Sequence, residues 1–280
     1  MNKAIVQSAN MTLGFTLLSI LLILACVGAI WTPYSVTTID STARLLSPSL
    51  LHLLGTDHYG RDTLSLIMAG AANAFFVGGL SVSLGSLIGV VLGLIAASSS
   101  NGRPLQKFLD SIIMRGSDII FAFPVLISAL LLVNNIGSGM VTAVLAIATF
   151  NIPVFARLSR NISRQVWIQE FVTAARAVGR NPWQITLRHI LPSARGPLIV
   201  QASTQFGLAI LADATLSYLG VGVQPPSVSW GRMLADAQTF LYISPAQAIT
   251  PGIMITLAVL GANLLGTGLS DFLSLKLQQE

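Results

Sequence analysis

The chain has 280 residues, 53% hydrophobic and only 9% charged, with a mean hydropathy of +0.77 and a formal net charge of +5. Soluble domains carry about 25% charged residues, so a soluble fold this poor in charge could not cover its own surface. The composition therefore excludes a sizeable water-soluble domain and points to helices that cross a bilayer, each needing an apolar run of about 20 residues.

Six such runs follow in chain order, at residues 11–31, 71–97, 119–133 with its flanks, 140–155, 197–222 and 248–269. Cys26 sits in the first run and is the single cysteine, which rules out an internal disulfide. The apolar run continues past it to Ile30, so a retained helix is expected rather than a cleaved leader. The second run places Ser81, Gly85, Gly89 and Gly93 four residues apart, on one helix face where another backbone can approach closely. The third and fourth meet at Asn134-Asn135-Ile136-Gly137-Ser138-Gly139, a predicted tight turn.

The loops carry the charge unevenly. With the N-terminus inside, twelve lysines and arginines fall on inside segments and only Arg44, Arg61 and Arg232 outside. This split predicts both termini in the cytoplasm, and it explains the basic balance without nucleic acid. Arg157, Arg160 and Arg164 lie at i, i+3 and i+7 on one predicted helix face. Their polar neighbours Ser159, Asn161, Ser163 and Gln165 argue for a solvated, lipid-phosphate-facing or partner-facing helix and against a voltage sensor.

Between the fourth and fifth runs lies TAARAVGRNPWQITLRHILP, residues 173–192. Trp167, Phe171, Ala174, Ala175 and Val178 form one apolar helical stripe, and Gly179 is a positive-φ stop. Asn181-Pro182 is an N-cap with proline at the first helical position. Trp183, Leu187, Ile190 and Leu191 make a second stripe, which Pro192 is expected to close. Two short amphipathic helices around a turn could dock a cytoplasmic partner or lie on anionic lipid. A DNA-reading helix-turn-helix is disfavoured, because helices on both sides would hold it at the membrane.

This segment resembles the "EAA" loop of bacterial ABC-importer permeases through Ala174-Ala175, Gly179 and Ile190-Leu191-Pro192. LGTDHYGRD (54–62) and LSYLGVGVQPPSVSWGRML (216–234) are similar to the peptide and nickel importers, and to their second, shorter permease. The resemblance implies an all-α polytopic protein of type I ABC importer architecture, with six transmembrane helices and a cytoplasmic coupling-helix loop. It implies a first helix and long external loop at 1–70, a permease core at 71–270 with the coupling loop at 157–196, and a cytoplasmic tail at 271–280. It implies a second permease as heterodimer partner, two cytoplasmic ATPase subunits, an external solute-binding protein and a place in the bacterial inner membrane. Ala174, Ala175, Gly179, Arg180, Ile190, Leu191 and Pro192 would carry the coupling contact. Thr173 stands where the family motif has its glutamate.

The implied function is import of di- or oligopeptides, with nickel or a metal chelate as an alternative cargo. A stand-alone channel or secondary transporter is the rival of another class; midplane coupling residues or an inverted repeat would mark it. The chain contains no G-x-x-x-x-G-K-[ST] phosphate loop, so ATP hydrolysis is expected from partner subunits. Asp213, in the fifth run, is either a gating or pathway residue or a structural hydrogen-bond partner. In GTDHYGRD, Asp57, His58 and Asp62 invite a metal reading, but a structural turn with an Asp–Arg61 pair is preferred. His52 and His189 are expected to join no cluster. No catalytic constellation, metal site or cofactor is expected.

Overall fold

The computed structural model describes residues 2–98 and 104–279, with side chains over 9–97 and 107–273. The side chains of Lys3, Arg103 and Lys276, counted in the charge split, lie outside the described residues. The order is α1 (Asn2–Ile30), α2 (Thr63–Ser98), α3 (Pro104–Ala122), α4 (Val125–Ile136), α5 (Met140–Trp167), α6 (Glu170–Ala177), α7 (Pro182–Ile185), a π turn (Thr186–Ile190), α8 (Leu191–Tyr218), α9 (Trp230–Ala237) and α10 (Ala246–Gln279). Among the described residues the sole extended pairing is an isolated bridge between Thr56 and Asp62.

Among the described residues, four helices are long and apolar enough to cross a membrane: α1, α2, α5 and α10. A fifth span is α3 and α4 taken together, bent by 89°. The run at 119–133 is thus not one straight helix. It breaks at Phe123-Pro124, because proline has no N–H to give the ladder and disfavours a helical conformation in the residue before it. Gly137 and Gly139, both at positive φ, make the expected turn into α5. The predicted fifth span falls on α8, which is 28 residues long. Gln201, Gln205 and Asp213 make it less apolar than the others. It can carry them because α2, α5 and α10 pack around it, burying Gln205, Asp213 and Ser217 in protein. Two other bounds differ from expectation. Helix α5 runs on to Trp167, so the first part of the 157–196 loop is helical, and 271–279 continues α10.

The seam between α2 and α5 is the most extensive helix contact among the described residues, and the small-residue stripe makes it. A Cβ at Gly89 would lie 2.8 Å from Phe155 Cβ, and one at Gly85 would lie 2.8 Å from the Ala148 carbonyl oxygen. Ser81 Oγ donates across the seam to the Val144 carbonyl at 3.2 Å, and Ser159 Oγ reaches the Val90 carbonyl of α2 at 3.4 Å. Without a hydrophobic driving force between lipid-embedded helices, such backbone proximity and interhelical hydrogen bonding hold the bundle. Outward faces of α1, α2 and α10 show large apolar side chains such as Phe15, Ile23, Leu87 and Ile249, as a lipid-facing surface requires.

Loops 31–62, 134–139 and 219–245 share one end of the bundle. Gln247 Nε2 donates to the Thr56 carbonyl at 3.1 Å, Asn73 Nδ2 to the Val228 carbonyl at 2.7 Å and Gly139 N to the Val221 carbonyl at 3.2 Å. The α6–α7 segment lies at the other end, against Leu94 and Ala97 of α2.

Candidate functional site

The α6–α7 segment is built by its caps. At the end of α6, Gly179 N donates to the Arg176 carbonyl at 2.9 Å and Arg180 N to the Ala175 carbonyl at 3.1 Å. Gly179 stands at φ +81°, where a Cβ is penalised. Asn181 then caps α7. Its side chain accepts from Trp183 N at 3.2 Å while Gln184 Oε1 accepts from Asn181 N at 3.2 Å, a complete capping box with Pro182 at the first position.

One expectation needs correction here. Pro192 does not close the second helix. The π turn carries the chain into α8 without a break, Leu191 N bonding back to the Thr186 carbonyl, and this wider turn accommodates the ring and missing N–H of Pro192. The residues of the two stripes divide between buried and exposed positions. Val172, Ile185 and Ile190 are buried against Trp167, with Ala175 and Leu191 half-buried beside them. Phe171, Ala174, Val178, Trp183 and Leu187 are exposed, Val178 by 82%. Trp183 and Leu187 line a groove of about 710 Å³ with Leu87, Leu94 and Ile199, while Phe171, Ala174 and Val178 stand exposed on α6 outside that groove. Arg176 lies over the Trp167 ring at 4.8 Å, while Arg180, Arg188 and Pro192 are exposed.

Arg157, Arg160 and Arg164 face α3 rather than solvent alone. Arg160 forks onto Asp110 at 2.5 and 2.7 Å, Arg164 reaches the same carboxylate at 2.8 Å, and Arg157 pairs with Asp118. Sequence reading missed Asp110 and Asp118. Both pairs tie the elbow of α3 to the α5 extension that bears α6. Asp110→Asn is expected to lower the thermal stability of this end by about 3 kcal/mol, because it strands Arg160, only 19% exposed. Asp118→Asn, at a carboxylate 64% exposed, is expected to change little. Thermal unfolding of the two variants in parallel checks the contrast; equal effects would refute it.

Asp213 is 2% exposed and its Oδ1 has no hydrogen-bond partner among the described residues. Ser217, one turn on, is its hydrogen-bonding neighbour. Helix α8 ends at Tyr218, so Asp213 lies about 8 Å from the helix end, nearer than the fifth run implied. Beside it, α9 presses on α8 so closely that a Cβ at Gly231 would lie 2.7 Å from Ala214 Cα. The acid does not meet the α6–α7 residues, which sit at the opposite end of the same helix.

At the far end GTDHYGRD is a built turn. Asp57 accepts from Tyr59 N and Arg61 N, each at 2.8 Å, and pairs with the Arg61 guanidinium at 2.7 Å. Asp62 caps α2 through Ser65 N and Oγ, each at 2.8 Å. His52 pairs with Asp62, its Nδ1 standing 3.0 Å from Asp62 Oδ1. Both carboxylates are thus occupied by the turn and the helix they hold. His58 stacks on Phe240, and burial pushes its imidazole below the usual histidine range. Trp230 locks α9 to α2 by donating to the Ile67 carbonyl at 3.1 Å.

The family model described as binding-protein-dependent transport system inner membrane component matches residues 89–279. The glutathione transport system permease protein GsiD of Pectobacterium atrosepticum is 42% identical over 231 residues, 82% of this chain and 75% of that protein. The dipeptide transport system permease protein DppC of Alkalihalophilus pseudofirmus is 37% identical over 265 residues, 95% of this chain and 85% of that one. A chain of the inward-facing MetNI methionine ABC transporter shares the fold at a TM-score of 0.58 and 19% identity, over 70% of this chain and 91% of its own. The fold is that of a type I ABC importer permease. The chain belongs to the binding-protein-dependent transport system inner membrane components and is a multi-pass permease subunit of an ABC importer.

Proposed function

We propose that this permease carries short peptides, dipeptides and glutathione among them, across the bacterial inner membrane as the shorter member of a permease pair. The observation that carries this reading is the match, over most of both chains, to permeases named for glutathione and dipeptide transport. The same names favour peptides over nickel as cargo. Two ATPase subunits hydrolyse the ATP. One docks on the exposed side of α6, where Phe171, Ala174 and Val178 need a partner to leave water. Ala175, Gly179, Arg180, Ile190, Leu191 and Pro192 shape and support that face. An external solute-binding protein meets the other end, where a cleft of about 480 Å³ opens between Tyr59, Arg61, Pro226 and Arg232.

The assembly is tested by co-expressing the chain with a second permease and the two ATPases, then following ATP-driven uptake of labelled peptide supplied on its binding protein. Uptake that needs all subunits is the expected result. A chain that transports alone would instead be a channel or secondary carrier.

The charge split supports six spans, with α8 as one of them and both termini inside. Reporter fusions after Gln106, Arg180 and Gln278 are expected to report cytoplasm, and those after Ser47 and Ser229 the outside. An external signal at Arg180 would overturn the orientation and the docking face together.

Asp213 acts in gating, since its orphaned oxygen beside the pressed-on α9 needs a partner that another conformation can bring. Asp213→Asn is expected to lower uptake while the complex still assembles. Failed assembly would assign it a structural role, and normal uptake would remove it from either.

A further inference from the structure

A second polar pair lies deeper in the bundle, in a cleft of about 400 Å³ between α4, α5 and α8. Its walls are aliphatic and aromatic, with Leu126, Ile147, Phe150 and Leu208 among them, and no charged residue lines it. Two carboxamides interrupt those walls, Asn151 from α5 and Gln205 from α8. Asn151 is 2% exposed. Its Nδ2 donates to the Ile147 carbonyl at 3.0 Å, and its Oδ1 has no partner. Gln205 is 5% exposed, and its carboxamide makes no hydrogen bond among the described residues.

Their depth is matched. Asn151 is eleven residues from the start of α5 and Gln205 thirteen from the end of α8, at the same end of the bundle. At ~1.5 Å per residue these are depths of about 17 and 20 Å, near the middle of a hydrocarbon core of about 30 Å. An unmet carboxamide is costly there, and packing alone would be served better by leucine.

We propose that Asn151 and Gln205 form a midplane hydrogen-bonding station for the backbone amide of the transported peptide. Gln205 offers both a donor and an acceptor, the pair of functions that every peptide unit also presents, and Asn151 adds the amide hydrogen left over from its bond to Ile147 and an enclosed acceptor that a side-chain rotation brings to the cleft. A lipid chain offers neither, and a helix of the second permease has its backbone already paired. The uncharged walls suit a zwitterionic cargo that must leave again, since a fixed charge would hold it. Aliphatic lining accepts varied side chains without selecting among them. The inference rests on the peptide reading above and adds the place where the cargo is held.

The test uses the full complex in proteoliposomes, with its binding protein, ATP and two cargoes: a transported tripeptide and the same tripeptide N-methylated at one peptide bond. Asn151→Leu and Gln205→Leu are each expected to slow tripeptide uptake about three- to tenfold while ATP hydrolysis stimulated by the loaded binding protein persists. The penalty for N-methylation should shrink in both variants. Because the binding protein is common to all measurements, its own discrimination cancels in that comparison. Parental uptake with an unchanged N-methylation penalty would overturn the proposal. So would loss of stimulated hydrolysis along with uptake, unrescued by Gln205→Asn, which would mark the pair as packing. A Gln205→Cys complex that cross-links to the second permease and never to a thiol-reactive peptide would show that a partner helix covers the cleft, and would also overturn it. If the parental complex takes up no short peptide, the peptide reading itself fails and the station with it.

Discussion

Gly89→Leu is expected to abolish recovery of the assembled permease. The glycine lies in the middle of the α2–α5 seam. A Cβ there would meet Phe155 Cβ at 2.8 Å and Ala156 N at 3.1 Å, with the Ile152 carbonyl closer still. These obstacles are backbone and Cβ atoms, so no rotamer change can clear them. Overpacking in a well-filled core costs about 1–3 kcal/mol when side chains can yield, and a seam of two backbones sits at or above the upper end. Parting the helices would also break the Ser81–Val144 and Ser159–Val90 hydrogen bonds. Gly79→Leu is the control, because a Cβ on Gly79 meets nothing within 4 Å. The measurement is yield of monodisperse complex in detergent and its thermal midpoint. A Gly89→Leu protein that behaves like Gly79→Leu would mean that α2 and α5 are not in backbone contact.

That seam was legible because its cause is local. Four small residues at a spacing of four can only mean a narrow face, whatever lies opposite. The turn after α6 was legible for the same reason: Gly179 and Asn181-Pro182 act on their own backbone, and the structure returns both the positive φ and the capping box. The misread parts depend on partners distant in sequence. Arg160 meets Asp110 across 50 residues and Trp230 meets the Ile67 carbonyl across 163, and no spacing rule reaches that far. His52 and Asp62 escaped notice because a loop with two positive-φ glycines, Gly55 and Gly60, folds back in a way periodicity does not describe. Which apolar residue of α6 turns inward was not legible for a subtler reason. Phe171 and Val172 are adjacent and both apolar, so an eight-residue helix fits either as its inner residue. Depth in the bundle decides, and the bundle chose Val172. Likewise Pro192 looks like a stop in one dimension, yet a π turn of one extra residue lets the helix pass it.

The exposed side of α6 decides which substitution should uncouple the transporter. Ala175 is half-buried against Val172 and Ile185, so Ala175→Trp should damage the permease's own packing. Ala174 is on the exposed side of α6, where tryptophan would leave the bundle intact and collide with whatever docks there. Gly179→Val acts differently. It places a β-branched side chain at φ +81°, at about 1–2 kcal/mol, and nothing within 4 Å of the Cβ adds a steric cost. The strain is expected to be relieved by shifting the α6–α7 turn, which moves Trp183 and Leu187 relative to Ala174. Gly179→Asn, which tolerates this backbone region, is expected to restore much of the function. Gly179→Val and Ala174→Trp should therefore insert and pair with the second permease normally, lose ATPase subunits on purification or hydrolyse ATP without uptake, and show peptide transport reduced at least tenfold, as losing about 1.4 kcal/mol or more at an interface implies. The measurements are ATPase co-purification, stimulated hydrolysis and uptake in the same preparations. Parental values in all three for both variants would show that the α6–α7 segment does not couple hydrolysis to transport. Its exposed apolar residues would then lie on the lipid surface, and binding of the isolated permease to anionic vesicles should weaken when Trp183 and Val178 are replaced by serine.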